Sequence, residues 1–482
     1  MKKIIPWLRK VAIASIFLFL ALNWTGLGRD YLYDWDEGIY ATLGREMRSS
    51  GNFLSPTWNG ELWLEKPPMI AWVSGLGMSL AGENELGSRL FMPIFAGLTL
   101  YAVFLIGESI GGTLMGAASM AILGYFNLFL ARARAVNVDG MLLSGITWTI
   151  WLLSSSAPGW TVGLAMGFAI MAKGPAGGLA ILIALPFLYK KPWAYLKQIL
   201  LSFSLVVVPW HLYSYLVHGN SFITPYLFEQ VLRRATTPIE FHTESRWFYL
   251  NFLLGDLGIG VLSVSLIGVV MAIRQLMKGK KLQELLTILW WVILPLGLFT
   301  VSKTRLSWYI LPIYPGLALL IGYAITQLIK VPKATKVVSI LVVGMCAQMI
   351  WHAYDYVAPS RSASPLSDQL IIAKNLSHYP GTGLAMLVSE SERVAEAILP
   401  KVQTISSSFR YGGSPSVVWY SHKHVYFYYN YDNFKRDASA KPEISSHIVT
   451  RADQDKVPPS YKLVEETKNY LGYIKEGSYA LR

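Results

Sequence analysis

Cysteine is almost absent: Cys346 stands alone in 482 residues, inside an apolar run. No intrachain disulfide can form, and a disulfide-stapled scaffold is excluded. Charged residues are scarce too, at 15% of the chain, which leaves room for apolar stretches of membrane-spanning length. No internal repeat or low-complexity run stands out. A nucleotide loop is also missing, because Gly174-Pro175-Ala176-Gly177-Gly178 lacks the Lys-Ser/Thr ending that cradles phosphates and reads as helix packing or a turn. The net charge of +13 does not point to nucleic acid, since no water-soluble stretch interleaves basic with aromatic residues. Lys and Arg fall mainly between apolar runs, where they report topology.

What is abundant is hydrophobic side chain, 53% of the chain, with 13% aromatic. The expectation is an α-helical polytopic membrane protein. Apolar segments fall at 6–27, 87–107, 111–130, 138–155, 158–172, 176–189, 198–217, 251–273, 284–301, 306–329 and 337–356. They make about eleven spans within a range of about ten to thirteen, because several are short or run together at Gly and Pro. Lys2, Lys3, Arg9 and Lys10 open the first, which reads as a retained anchor since no small-x-small cleavage site follows it. With a cytoplasmic N-terminus, Lys190, Lys191, Lys197, Arg274, Lys278, Lys280, Lys281, Lys330, Lys333 and Lys336 all lie inside, as the positive-inside rule asks.

Residues 1–356 are thus expected to form a transmembrane domain with a first outer loop at 28–86. Residues 357–482 change composition, with Pro359, Pro365 and several serines opening a polar tail. Strands are predicted at 383–388, 417–420, 424–429 and 447–450 and a helix at 391–399, a small extracytoplasmic α/β domain. Its tyrosines Tyr426, Tyr428, Tyr429 and Tyr431 read as strand packing.

The first outer loop is unusual. From Asp34 to Pro68 it gathers Asp34, Asp36, Glu37, Glu61 and Glu65 among aromatic residues, more than a connector needs. Tyr40, Leu43 and Met47 recur at helical spacing, so Asp34 or Asp36 can cap a helix, but a cap does not ask for Asp-Glu beside aromatics. The same face carries Arg132, Arg134, Asp139, Lys173, Lys303 and Arg305, which break the positive-inside rule. A carboxylate at the mouth of a span is costly unless partnered, and Arg132 or Arg134 is the candidate partner of Asp139. Lys303 and Arg305 fit snorkelling equally well.

These residues carry a resemblance. Asp36-Glu37-x-x-Tyr40, Arg45-Glu46-Met47, Ser50-Gly51, Pro56, Asn59-Gly60 and Glu65-Lys66-Pro67-Pro68 resemble the first outer loop of bacterial class C (GT-C) glycosyltransferases. Within that class the likeness is to the superfamily of dolichyl-phosphate-mannose protein mannosyltransferases and lipid A aminoarabinose transferases. It continues in Asp139, Ala172-Lys173-Gly174, Lys303, Tyr309-Ile310-Leu311-Pro312 and Pro315, in order over residues 1 to about 330. The resemblance implies a GT-C fold among the lipids of the bacterial inner membrane. It also implies inverting transfer of a sugar from a polyprenyl-phosphate carrier to an acceptor protein, lipid or polysaccharide on the outer face.

Such a donor brings its own leaving group, so one general base and several cations suffice. By the resemblance Asp36 is the base, with Glu37 and Asp139 beside it in catalysis. Lys66, Lys173, Arg233, Arg234 and Tyr309 are the contacts of the carrier phosphate. Glu65 matches a position where relatives hold a divalent metal; His242 and Glu244 could complete such a site, although a surface salt bridge or hydrogen bond is the commoner fate of both. The chain departs from aminoarabinose transferases at Ile39 (their Arg), at Trp63 (their Tyr) and at Glu229-Gln230, where a His follows their Glu. The sugar and the acceptor are therefore left open. A lipid-linked substrate transporter or flippase is the rival reading, although such proteins place charges at the midplane in repeated halves.

Overall fold

The computed structural model describes residues 6–236, 244–279, 282–328, 334–358, 366–391, 393 and 410–476. Helix α1 (Pro6–Trp24) buries Leu8, Ala12 and Phe19 in the bundle. The chain then forms a polar layer of α2 (Asp36–Ser50), strands β1 (Thr57–Trp58) and β2 (Glu61–Leu62), α3 (Met69–Ala81) and α4 (Glu85–Arg89). It returns to the apolar layer as α5 (Met92–Gly111), α6 (Thr113–Tyr125), α7 (Asn127–Arg134), α8 (Val138–Ser154), α9 (Gly159–Lys173), α10 (Leu179–Leu188) and α11 (Trp193–His218). A second polar loop holds α12 (Asn220–Ile223), a π-helix (Thr224–Arg233) and α13 (Arg234–Thr236). Next come α14 (Phe248–Leu276), α15 (Leu282–Val301), a 3-10 turn (Ser307–Ile313), α16 (Tyr314–Leu328) and α17 (Ala334–Val357).

By length and hydropathy, eight of the described helices can cross a membrane, or nine if α6 and α7, bent by 73°, are one broken span. The shortfall from eleven has two sources. Helix α8 has only 17 residues, and the expected spans 158–172 and 176–189 run together as one apolar stretch, Gly159–Leu188. That stretch is nevertheless a hairpin. Gly159, Gly163 and Gly167 of α9 face Gln198, Ser202 and Val206 of α11 in the same order, so α9 and α11 are parallel and α10 must carry the chain back. Gly174 turns it, at φ 60°. With α8 counted, and α9 and α10 counted apart, eleven passes result among the described residues. Glycine lets the helices approach closely where dispersion must hold them without a hydrophobic driving force: a Cβ on Gly107 would lie 2.8 Å from the Cα of Gly116.

The C-terminal region forms α18 (Asp368–Leu376), β3 (Gly383–Leu387), α19 (Ser416–Ser421), β4 (His424–Tyr428), α20 (Tyr431–Ala440), β5 (Ile444–Thr450), β6 (Tyr461–Glu466) and β7 (Tyr470–Lys475). The described sheet has the order β4-β3-β5-β7-β6, parallel around β3 and antiparallel through β7. Three predicted strands are found. The strand predicted at 417–420 is instead helix α19. Its β-branched and aromatic residues favour strand, but all six residues are buried between neighbours. Arg45 also donates to the carbonyls of Val418 (2.9 Å) and Trp419 (2.8 Å), satisfying the helix end. Most of the helix predicted at 391–399 lies outside the described residues.

The expected boundary at 357 divides the sequence but not the core. Leu32, Tyr40, Trp58 and Trp63 of the first loop share one cluster with Leu370, Val417 and Trp419. Asn59-Gly60, at φ 56° and 76°, makes the two-residue turn between β1 and β2. The Asn59 amide then pairs with both the C=O and the N–H of Val425, at 2.7 and 2.8 Å, covering the exposed side of edge strand β4. The first loop and the C-terminal domain therefore sit on one face, as an odd number of passes requires.

Candidate active site

Between this polar layer and the bundle lies a cavity of ≈ 1440 Å³. Its floor is apolar, with Leu128, Leu179, Leu182, Leu298 and Phe299, and its polar wall collects residues from both outer loops and the C-terminal domain.

Asp36 lies in the first turn of α2 and lines the cavity with 36% of its side chain exposed. It does not cap the helix. The N-cap is Trp35, which makes no side-chain cap bond and sits at φ 71°, ψ −110°, a strained backbone for a bulky residue and one of the kind that collects at functional sites. Asp34 is committed elsewhere: it accepts from Trp35 N (2.9 Å), Ser416 N (2.9 Å) and Ser414 Oγ (2.5 Å). The helix N-terminus favours negative charge at Asp36, and Arg132 stands 3.6 Å away.

Four cations share the cavity. Arg132 reaches Asp36 and also Asp139, at 3.9 Å, and lies 4.5 Å over the Trp308 ring. Lys173 pairs with buried Asp139 and lies 5.3 Å over Tyr309. Arg234 donates to the Tyr309 hydroxyl at 2.8 Å. Lys66 donates to the Tyr40 hydroxyl at 2.5 Å. Burial pushes the Lys66 ammonium below its ordinary value, against the pull of Asp36 and Glu65. Burial, then Asp36 and Asp139, holds the Tyr40 phenol well above its own, so it stays protonated.

Glu37 is placed differently from the catalytic expectation. It is 2% exposed, receives Arg89 Nε (2.8 Å) and Nη2 (2.5 Å), and accepts from Tyr33 N (2.8 Å) and Val136 N (2.7 Å). Every lone pair it offers is used in tying the loop to the α7–α8 junction, a strut rather than a reacting group. Arg233 does not line the cavity, unlike Arg234. Arg134 binds the carbonyls of Asn23 and Thr25, leaving Arg132 and Lys173 as the partners of Asp139. Arg305 donates to backbone oxygens of Glu244 and Thr300, and Lys303 lies off the cavity.

The expected metal position fits a cation poorly. Glu65 accepts from Tyr411 Oη (2.7 Å) and Gln230 Nε2 (2.8 Å). Among the described residues no three His, Cys, Asp or Glu gather to hold an ion. His242 lies outside the described residues.

Comparison with known proteins fits this geometry. Residues 65–212 match the family model described as dolichyl-phosphate-mannose-protein mannosyltransferase. An uncharacterised protein of Aquifex aeolicus is 28% identical over 349 residues, 70% of this chain and 68% of its own length. The undecaprenyl phosphate-alpha-4-amino-4-deoxy-L-arabinose arabinosyl transferase 2 of Pseudomonas fluorescens (strain Pf0-1) is 28% identical over 340 residues, 66% of this chain but only 60% of the relative. The crystal structure of ArnT from Cupriavidus metallidurans bound to undecaprenyl phosphate has the same fold. Its TM-score is 0.71 at 16% identity, covering 96% of this chain and 97% of that one. The chain has the fold of the class C glycosyltransferases.

Three of the described cavity residues come from the C-terminal domain, Tyr411, Gly413 and Tyr429. Tyr429 was expected only to pack a strand; it follows β4 and lines the cavity. Trp308 and the bridging role of Arg132 also escaped sequence reasoning, although Arg132 had been marked by breaking the positive-inside rule. For Tyr411 there was no local signal, because its partners lie hundreds of residues away in sequence. Of the three positions that depart from aminoarabinose transferases, Ile39 is buried, while Trp63 and Gln230 both converge on Glu65, Trp63 through Tyr411.

Proposed function

We propose that the protein is an inverting glycosyltransferase that moves a sugar from a polyprenyl-phosphate carrier to an acceptor hydroxyl at the outer face of the bacterial inner membrane. One observation carries the reading: Asp36, a carboxylate free of capping duty, opens onto the same cavity as Lys66, Arg132, Lys173 and Arg234, above an apolar floor. Asp36 accepts the proton of the incoming hydroxyl as its oxygen attacks the anomeric carbon. The bond to the carrier phosphate breaks, and the charge that grows on the phosphate is met by Lys66, Arg234 and the Tyr309 hydroxyl. Asp139 orients Lys173 and Arg132 from below. The apolar floor suits the first isoprene units of the carrier. Its relatives named for undecaprenyl phosphate support that class of donor.

Incubation with a panel of polyprenyl-phosphate sugars and a hydroxyl acceptor should release polyprenyl phosphate from at least one donor. Carrier movement across vesicles without any such release would replace this reading with that of a transporter.

A further inference from the structure

Glu65 is the meeting point of three distant segments. From the C-terminal domain the Tyr411 hydroxyl donates to its Oε1, and from the π-helix of the second loop the Gln230 amide donates to its Oε2. Tyr411 is itself fixed: the Trp63 indole N–H donates to its oxygen at 2.6 Å, and the Trp58 ring packs edge-on at 4.8 Å. Burial, then the Glu65 charge, holds the Tyr411 phenol well above its ordinary value, so its single proton stays available. The residue after Glu65 is Lys66.

The chemistry of these groups points away from coordination. A divalent ion needs several lone pairs aimed at one point. Here two hydrogens are aimed at the carboxylate instead, and the amide must turn its NH₂ toward Glu65 because its carbonyl would meet a like-charged oxygen. We propose that Glu65, Gln230 and Tyr411 form a metal-independent clasp in which hydrogen bonds position the loop, and that Tyr411 and Gln230, acting through Glu65, aim Lys66 at the carrier phosphate. The clasp stands on geometry alone; its effect on the carrier rests on the reading of Lys66 given above. It also gives the C-terminal domain a part in donor binding.

Full-length protein in lipid nanodiscs tests both halves. Wild type should hold no stoichiometric divalent ion, and EDTA should leave its melting temperature unchanged. Gln230→Glu sets carboxylate against carboxylate, so it should melt lower and recover with Mg²⁺. A stoichiometric ion in wild type, or a melting shift on chelation, overturns the clasp. Undecaprenyl phosphate is then titrated well below the melting temperature. Tyr411→Phe, which keeps the ring and its packing, should weaken binding about tenfold, the loss of one hydrogen bond to a charged group, and in turnover raise donor KM more than it lowers kcat. If Lys66→Ala weakens binding while Tyr411→Phe and Gln230→Ala do not, the positioning role is refuted and the carrier site stands. If wild type binds no undecaprenyl phosphate, the carrier reading fails and the positioning role with it, while the metal measurements still decide the clasp.

Discussion

At the scale of single residues, the two carboxylates of the Asp36-Glu37 pair have opposite fates, and mutation should separate them. Asp36→Asn removes a proton acceptor but no cap, because Trp35 holds the N-cap. Transfer should fall by about 10²–10⁴-fold with melting essentially unchanged; a variant that keeps most of its activity would exclude Asp36 as the base. Glu37→Gln leaves the Arg89 charge buried without its partner, and should cost about 3–5 kcal/mol of stability, read as a lowered melting temperature before any kinetic effect. Lys66→Ala should weaken donor use by about 1.5–3 kcal/mol, roughly ten- to more than a hundredfold, in steady-state kinetics with varied donor. The pH dependence has a definite sign. Burial favours the uncharged amine, so Lys66 loses its proton at lower pH than an exposed lysine. Donor affinity should therefore decline as pH rises, earlier than an exposed lysine would allow, and Lys66→Arg should abolish that decline.

At the scale of elements, the β1–β2 turn joins two parts of the chain more than 360 residues apart. Glu46 shapes it, accepting from Asn59 N (2.8 Å), Gly60 N (3.1 Å) and Thr57 Oγ1 (2.7 Å), and Asn59 then docks on Val425. Asn59→Ala would remove both side-chain bonds and place Ala at φ 56°, where a residue that makes no local side-chain bond is disfavoured. The expected cost is about 2 kcal/mol, measured by melting and by faster proteolysis of the C-terminal domain. Helix α19 shows the same dependence on context from the other side. Its residues would form a strand if propensity alone decided, but burial on all sides and the Arg45 cap on its carbonyls make a helix the way to satisfy its backbone.

At the scale of the whole molecule, the shared core of the first loop and the C-terminal domain predicts that chains ending at Val357 will not accumulate as folded membrane protein. Truncation would bare Tyr40, Trp58 and Trp63, and fluorescence-detected size exclusion of the truncated chain should show aggregate in place of a monodisperse peak. Topology gives a second test. Three described helices, α15, α16 and α17, separate Lys281 from the C-terminal domain, so reporter fusions after Lys281 and at Arg482 should report opposite sides; agreement between them would contradict that count of passes.

The apolar runs, their basic flanks and the ordered short motifs determined the membrane class, the fold class and most of the cavity's charged residues, because hydrophobic length and local charge are properties of the chain itself. The hairpin of α9 and α10 was legible as two spans, 158–172 and 176–189, parted at Gly and Pro. What only the tertiary structure decided is which charges are spent and which are free. Asp34, Glu37 and Glu65 look like Asp36 in sequence, yet Ser414 and Ser416, Arg89, and Tyr411 with Gln230 occupy them. A carboxylate becomes a strut or a base according to the donors that reach it, and here many of those donors come from segments 50 to 380 residues away, a distance over which no local pattern carries information.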